Sequence, residues 1–352
     1  MSTDGSDPAL ETLLLPLQNG ALDWTGDGAL FLRARDGWPL HRQPWPGLVC
    51  EQGFKPEVDA LQHSGMTVVA ADDRTWPLVL VLSSRQRDET RALLVRAVER
   101  TAPGGRVLAC MPNSEGAKSG EADLARLAGP LQTLSRHHCR VFWTARLQGA
   151  IDPALADAWL AADAPRPILD GRFISRPGVF AWDRVDAASA LLAEHLPDDL
   201  AGRGADLGCG YGYLGAEVLA RYRGVTAFDL YEAEARTLAL AQTNLQSFAS
   251  RVELGFHWHD VASGLPQRYD FIVSNPPFHA QGRADRPDIG RRFIAAAADA
   301  LDPGGQLWLV ANRHLPYEAV LDAAFGTVRT IAQRDGFKVI VAVKSVTGRA
   351  AR

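Results

Sequence analysis

The chain has 352 residues, 47% hydrophobic and 22% charged, with a formal net charge of −4. That length suggests two domains, each able to bury its own core, and the balance excludes collagen-like, coiled-coil and largely disordered chains. No run of about 18 apolar residues occurs, so no membrane-spanning helix is expected. The start, MSTDGSDPALETLLLPLQ, carries acids where a signal peptide needs a basic region, so export is not expected.

Cys50, Cys110, Cys139 and Cys209 lie far apart with no C-x-x-C, which suits neither a disulfide framework nor a cysteine zinc site. A cytoplasmic protein is expected. Residues 1–165 carry 16 Lys+Arg against 20 Asp+Glu, and residues 166–352 carry 21 of each. Neither half is a basic domain, so bulk charge does not identify a nucleic-acid partner.

In chain order, LVLVL (Leu78–Leu82) reads as a buried strand, and apolar spacing predicts a helix over Asp88–Arg100. Pro103-Gly104-Gly105 reads as a turn before the strand RVLACM. Trp24, Trp38, Trp45 and Trp76 are expected to fill the core of this half. Residues 151–170, rich in Ala, Asp and Pro, break the pattern and place a domain boundary near Ala164–Pro167.

Beyond it, strands alternate with helices more clearly. Helices are predicted over Ala187–His195, Tyr213–Arg223, Ala233–Gln246, Arg291–Leu301 and Tyr317–Phe325. Strands are predicted at GADLG, VTAFD, YDFIVS, QLWLVA and FKVIVAV. This alternation predicts a doubly wound α/β sheet. An internal repeat supports the same fold for both halves, since ALDPGGQLWLVAN (Ala300–Asn312) echoes RTAPGGRVLACMPN (Arg100–Asn113). The echo continues from Phe337–Lys344 to Cys139–Arg146. The first copy has no counterpart of the glycine-rich segment in the second.

That segment, Asp206-Leu207-Gly208-Cys209-Gly210-Tyr211-Gly212, follows a predicted strand and opens a helix. Glycines there let the backbone approach a ligand, with helix N–H groups facing it. Gly210, Gly212 and Gly215 also fit the dinucleotide fingerprint. Asp229, 17 residues after Gly212, is placed to bind ribose hydroxyls, and Asp260 to approach an adenine amino group. Both suit a nicotinamide dinucleotide and S-adenosylmethionine alike.

Ser274-Asn275-Pro276-Pro277-Phe278 separates the two. Two prolines stiffen the loop and donate no N–H, so the Asn275 side-chain oxygen and the Pro276 carbonyl become fixed acceptors for an amino group. Phe278 offers a face for a planar ring. His257-Trp258-His259 places two imidazoles on one face of a strand. No third ligand is evident, and no metal is expected.

The glycine segment and Asn-Pro-Pro-Phe together resemble class I S-adenosylmethionine-dependent amino-methyltransferases. SRPGVF (Ser175–Phe180), SNPPFH (Ser274–His279), VANRHLPY (Val310–Tyr317) and GFKV (Gly336–Val339) occur in order. With them the chain resembles the ribosomal RNA small subunit methyltransferase C family, guanine-N2 methyltransferases with two tandem domains. Trp182-Asp183-Arg184 departs from that family's short Asp-Gly turn.

The resemblance implies two tandem Rossmann-like class I methyltransferase domains, 1–164 degenerate and 165–352 catalytic. It implies S-adenosylmethionine held by Asp206, Gly208, Gly210, Gly212, Asp229 and Asp260. Asn275, Pro276 and Phe278 would hold and stack the guanine. Arg283, Arg286, Arg291 and Arg292 form a candidate contact to ribosomal RNA, the implied partner within the small subunit. A monomer without metal is expected. The competing readings are a large-subunit guanine-N2 methyltransferase, a methyltransferase for another amine (adenine N6 or a protein glutamine), and a non-catalytic ribosome-assembly factor.

Overall fold

The computed structural model describes residues 7–24, 26–148, 152–277 and 287–346. The chain divides into two compact units, Met1–Pro165 with Arg176–Gly178, and Arg166–Ser175 with Val179–Arg352.

In the first unit, strands β1 (Ala29–Leu32), β2 (Leu48–Glu51), β3 (Val68–Val69), β4 (Trp76–Leu82), β5 (Thr101–Pro112), β6 (Leu131–Arg136) and β7 (Cys139–Thr144) form one sheet. Its order is β3-β2-β1-β4-β5-β7-β6. Pairing is parallel except for β7, which runs antiparallel to β5 and β6. Helices α1 (Pro8–Gln18), α2 (Trp38–His41), α3 (Lys55–His63), α4 (Arg87–Glu99), α5 (Ala117–Ala128) and α6 (Pro153–Asp163) connect and cover it. Central β4 is apolar on both faces because helices cover both: Leu78, Leu80 and Leu82 pack with Leu10 and Leu13 of α1, while Val79 and Val81 pack with Leu94 of α4 and Trp159 of α6.

The second unit opens with a hairpin, β8 (Arg166–Ile168) and β9 (Phe173–Ser175). Its sheet comprises β10 (Gly202–Leu207), β11 (Val225–Glu232), β12 (Glu253–Trp258), β13 (Tyr269–Ser274), β14 (Leu301–Asn312), β15 (Thr327–Arg334) and β16 (Phe337–Val343). The order β12-β11-β10-β13-β14-β16-β15 repeats that of the first unit strand for strand. Helices are α7 (Ala187–Glu194), α8 (Tyr213–Arg221), α9 (Ala235–Leu245), α10 (Pro287–Ala300) and α11 (Glu318–Ala324). Phe228, Leu230, Phe271 and Val273 face α7, α8 and α9. Ala205, Leu207, Tyr231 and Ile272 face α10 and α11.

The repeat extends to backbone detail. Pro103-Gly104-Gly105 does not end one element and begin another; it bulges out of β5, where pairing with β4 jumps from Trp76–Thr101 to Leu78–Arg106. In β14 the pairing jumps likewise from Tyr269–Leu301 to Phe271–Gln306. Gly104 N–H donates to the Leu147 carbonyl and Leu147 N–H to that of Gly105; Gly304, Lys344 and Gly305 make the matching pair.

Three further differences from the sequence reading have simple causes. Residues 153–163 form α6, whose Ala156 and Trp159 join the first unit's core. Edge strands β6 and β15 were not expected, because both are mostly exposed and lack an alternating apolar face. Trp45 and Trp76 are buried, with Trp24 packed at 4.9 Å from Trp45, but Trp38 is 69% exposed. Trp38 starts the four-residue α2, whose buried places go to Pro39 and Leu40.

A Cβ at Gly305 would stand 2.9 Å from the Asp302 carbonyl oxygen and 3.0 Å from that of Asp270; at Gly105 it would stand 2.8 Å from those of Ala102 and Pro77. Backbone oxygens cannot swing aside. Gly105→Ala and Gly305→Ala are each expected to cost about 1–3 kcal/mol. Urea unfolding measures this directly, and unchanged midpoints would refute it.

Candidate active site

The two ladders that join β10 to its neighbours in the second sheet end at one level. Leu207 of β10 pairs with Tyr231 of β11 and with Ser274 of β13. The next residues along these strands are therefore Gly208, Glu232 and Asn275. Ser274 Oγ ties two of the ends by donating to the Leu207 carbonyl at 2.8 Å. Helix α8 follows β10 on one face and α10 follows β13 on the other, so the ends flank the switch point where open α/β sheets bind ligands.

Gly208, Gly210 and Gly212 all have positive φ, at 75°, 56° and 94°. Their surroundings differ. A Cβ at Gly212 would collide with Leu245, so this glycine lets α8 and α9 pack closely. A Cβ at Gly210 would meet nothing within 4 Å, so its backbone faces open space. Pro277 lies 3.9 Å from where a Gly208 Cβ would stand, which sets the proline loop beside the glycine loop.

Asp206 is wholly buried, and among the described residues neither carboxylate oxygen is within hydrogen-bond geometry of a partner. Burial outweighs the nearby Gly215 N–H and, with Glu232 adding repulsion, pushes its carboxyl up to about 8. Glu232 accepts the Gly210 N–H at 2.9 Å and the Glu234 N–H at 3.0 Å. Burial raises its carboxyl as well, against those backbone donors. Two shielded carboxyls around a glycine loop form a site suited to a cation. The α-ammonium and sulfonium of S-adenosylmethionine fit it.

The structure gives Asp229 a different place. It lies three residues before the end of β11, on the face of Tyr231 rather than that of Asp206, because side chains alternate along a strand. Its oxygens accept from Tyr269 Oη at 2.8 Å and Arg203 at 3.1 Å, and one lies 3.2 Å from His257 Nε2. Burial alone would raise its carboxyl, but His257, Tyr269 and Arg203 outweigh it and hold it below the ordinary range. The Asp229 oxygens thus face core donors, and the carboxylate at the end of the strand is Glu232.

Asp260 caps a short 3₁₀ turn beyond β12, accepting the Ala262 N–H at 2.9 Å. Asn275 donates from Nδ2 to Asp186 Oδ2 and to Ser189 Oγ, both at 2.9 Å, while its Oδ1 is buried without a partner among the described residues. Pro276 is buried beside it. Exposed Arg291 and Arg292 lie on α10, reaching the Pro316 carbonyl at 3.5 Å and the Ala262 carbonyl at 3.1 Å. Phe278, Arg283 and Arg286 lie outside the described residues. His257 and His259 are each within hydrogen-bond distance of a protein group, Asp229 and the Gly264 carbonyl.

Sequence reasoning missed four supporting residues. Glu232 was hidden because the predicted strand stopped at Asp229, although the apolar alternation runs on through Leu230 and Tyr231. Asp186 was legible as a helix cap before AASALL, and Ser189 follows at the third helical position. Asn244 gave no signal; it binds the Ile174 backbone and the Tyr211 carbonyl, pinning β9 to the glycine loop.

Sheet order, glycine loop and the Asn-Pro-Pro turn at the switch point define a class I methyltransferase domain, and residues 170–341 match the family described as methyltransferase small domain. Ribosomal RNA small subunit methyltransferase C of Pseudomonas paraeruginosa is 35% identical over 272 residues, covering 76% of this chain and 79% of its own. The namesake protein of Psychromonas ingrahamii is 30% identical over 75% of each chain. Among solved structures, the T. thermophilus 16S rRNA N2 G1207 methyltransferase (RsmC), in complex with AdoMet and guanosine, superposes with a TM-score of 0.80 at 27% identity. The match covers 96% of this chain and 92% of that one. The chain belongs to the ribosomal RNA small subunit methyltransferase C family.

The raised carboxyl of Asp206 makes a signed prediction. Between about pH 4, where an unfolded Asp ionises, and about pH 8, the native protein keeps a proton that the unfolded chain releases. Native stability is lost progressively across that window. Asp206→Asn removes the effect, so its Tm advantage over the wild type should widen from pH 4 to 8 and then level off. Calorimetric scans at several pH values would show it; a constant Tm difference would count against an unpartnered buried acid.

Proposed function

We propose that this protein methylates the exocyclic N2 amine of a guanine in small-subunit (16S) ribosomal RNA, using S-adenosylmethionine. The observation that carries the reading is the Asn275 carbonyl oxygen, buried and unpartnered beside a glycine loop with two shielded carboxyls. The names of the relatives, and the AdoMet and guanosine in the T. thermophilus complex, support the same reaction.

When bound, S-adenosylmethionine supplies a methyl group on a positively charged sulfur, ready for attack by an amine. Asp206 takes its ammonium group, the backbone of Gly208 and Gly210 lines its amino-acid portion, and Gly212 shapes the loop. Glu232 takes the ribose hydroxyls, in place of Asp229, and Asp260 approaches the adenine. Asn275 Oδ1 and the Pro276 carbonyl accept the two hydrogens of the guanine amine, which turns the nitrogen lone pair away from them. Phe278 stacks on the base. Orientation supplies most of the rate, and the proton leaves to water afterwards. An amine attacking a sulfonium methyl needs no metal ion.

To reach N2 the guanine leaves its stack. Arg283, Arg286, Arg291 and Arg292 contact phosphates around the pocket. The degenerate N-terminal domain, residues 1–164, has lost the cofactor site. Where the second unit has its glycines, the first has Arg33 and Arg35, ion-paired to Glu89 and Asp7 at 2.9 Å and 3.1 Å. The protein acts as a monomer.

The decisive experiment follows labelled methyl from S-adenosylmethionine onto purified small and large subunits from cells lacking this protein, with Asn275→Ala in parallel. N2-methylguanine on small-subunit RNA, lost in the variant, is expected. Label on the large subunit alone would reject the substrate and keep the chemistry; no label on either would reject both. Calorimetry separates the two acids of β11. Glu232→Gln should weaken S-adenosylmethionine binding at least about tenfold with little loss of Tm. Asp229→Asn should lower Tm by several degrees and leave affinity within about threefold.

A further inference from the structure

An asparagine amide is nearly symmetric in shape but has an acceptor on one side and two donors on the other. For Asn275 to accept hydrogens from an amine, its oxygen must face the substrate. Turned over, it would present N–H groups to N–H groups. Nothing in Asn-Pro-Pro-Phe decides between the two.

The decision lies 86 and 89 residues earlier in the chain. Asn275 Nδ2 has two hydrogens, and both are committed: one to Asp186 Oδ2 at 2.9 Å, one to Ser189 Oγ at 2.9 Å. Asp186 is itself held, because it caps α7 and its Oδ2 also accepts the Ser189 N–H at 2.9 Å. A flipped amide would set its carbonyl oxygen 2.9 Å from a carboxylate oxygen, where both are acceptors and the contact is repulsive. Among the described residues, Oδ1 is left with no partner.

We propose that Asp186 and Ser189 are positioning residues that fix the polarity of the Asn275 amide and strengthen its oxygen as an acceptor. The proposal rests on the reading of Asn275 as the group that receives the target amine. A carboxylate accepting from an amide N–H shifts electron density toward the amide oxygen. That oxygen then faces an amine whose charge becomes positive as the methyl transfers, so the interaction is stronger in the transition state than in the ground state. The effect therefore falls on kcat more than on KM.

Asp186→Ser tests this, because serine caps a helix about as well as aspartate but is too short and uncharged to hold Asn275. Its kcat for 16S RNA should fall on the order of tenfold or more, with S-adenosylmethionine affinity and Tm near wild type. In an Asn275→Ala background the same change should add less than about twofold. Ser189→Ala should show a smaller loss of the same kind. A purely structural role would instead lower Tm, weaken cofactor binding and add its full loss in the double variant. Any of these outcomes would overturn the proposal.

A second readout is independent of RNA. With asparagine labelled by 15N, the Asn275 side-chain amide, assigned by its disappearance in Asn275→Ala, should exchange slowly with solvent in the free enzyme and quickly in Asp186→Ser. Fast exchange in the wild type would sink the proposal even if methylation proceeds. Slow exchange in a protein that methylates no RNA would uphold the clamp and refute the functional reading.

Discussion

Everything at the site depends on one register. Leu207 pairs with Tyr231 on one side and Ser274 on the other, so the β10–β11 and β10–β13 ladders terminate together. A parallel ladder leaves the groups beyond its last pairs free to meet ligands, and here those groups are a glycine loop, a carboxylate and an amide. A slip of one residue in β11 would turn Glu232 away and bring Tyr231 to the rim. The bulges in β14 and the Ser274–Leu207 hydrogen bond belong to the same frame, since both hold strands at the level the site requires.

Two acids of similar sequence context end in opposite electrostatic states. Asp229 is surrounded by donors and is held ionised, with Tyr269 in turn bonded to Tyr231 at 2.6 Å and Tyr231 stacked on His257. Asp206 is buried with no side-chain donor among the described residues, and the nearby Gly215 N–H offsets its burial only in part. An arrangement unfavourable to the free protein becomes favourable when a cation arrives, because the same burial that raises the carboxyl also strengthens its attraction to a positive ligand. Stability is surrendered at Asp206 and retained at Asp229, one residue before the site's edge layer and one within the core.

The duplicated sheet shows which features the two units share and which they do not. The seven-strand order and the glycine bulge recur in the first unit, with the same pair of backbone hydrogen bonds closing the bulge. Those features are set by main-chain geometry and core packing, which any stable copy must keep. The loop after β1 is under no such demand. It carries Arg33 and Arg35 where the second unit has Gly208 and Gly210, and they ion-pair with Glu89 and Asp7.

By itself the sequence determined the α/β architecture, the repeat, the glycine loop and the Asn-Pro-Pro turn. Each is local: strand and helix periodicities, glycine where φ is positive, proline where the backbone must be stiff. The edge strands β6 and β15 were not legible, because exposed strands carry no apolar alternation. Nor were the different places of Asp229 and Glu232, which depend on where β11 stops and which face each residue takes. Only the tertiary structure brought Asp186 and Ser189 to Asn275, and Asn244 to the glycine loop. Those contacts join residues some 30 to 90 positions apart through directional hydrogen bonds, and a linear pattern of residue types carries no record of such directions.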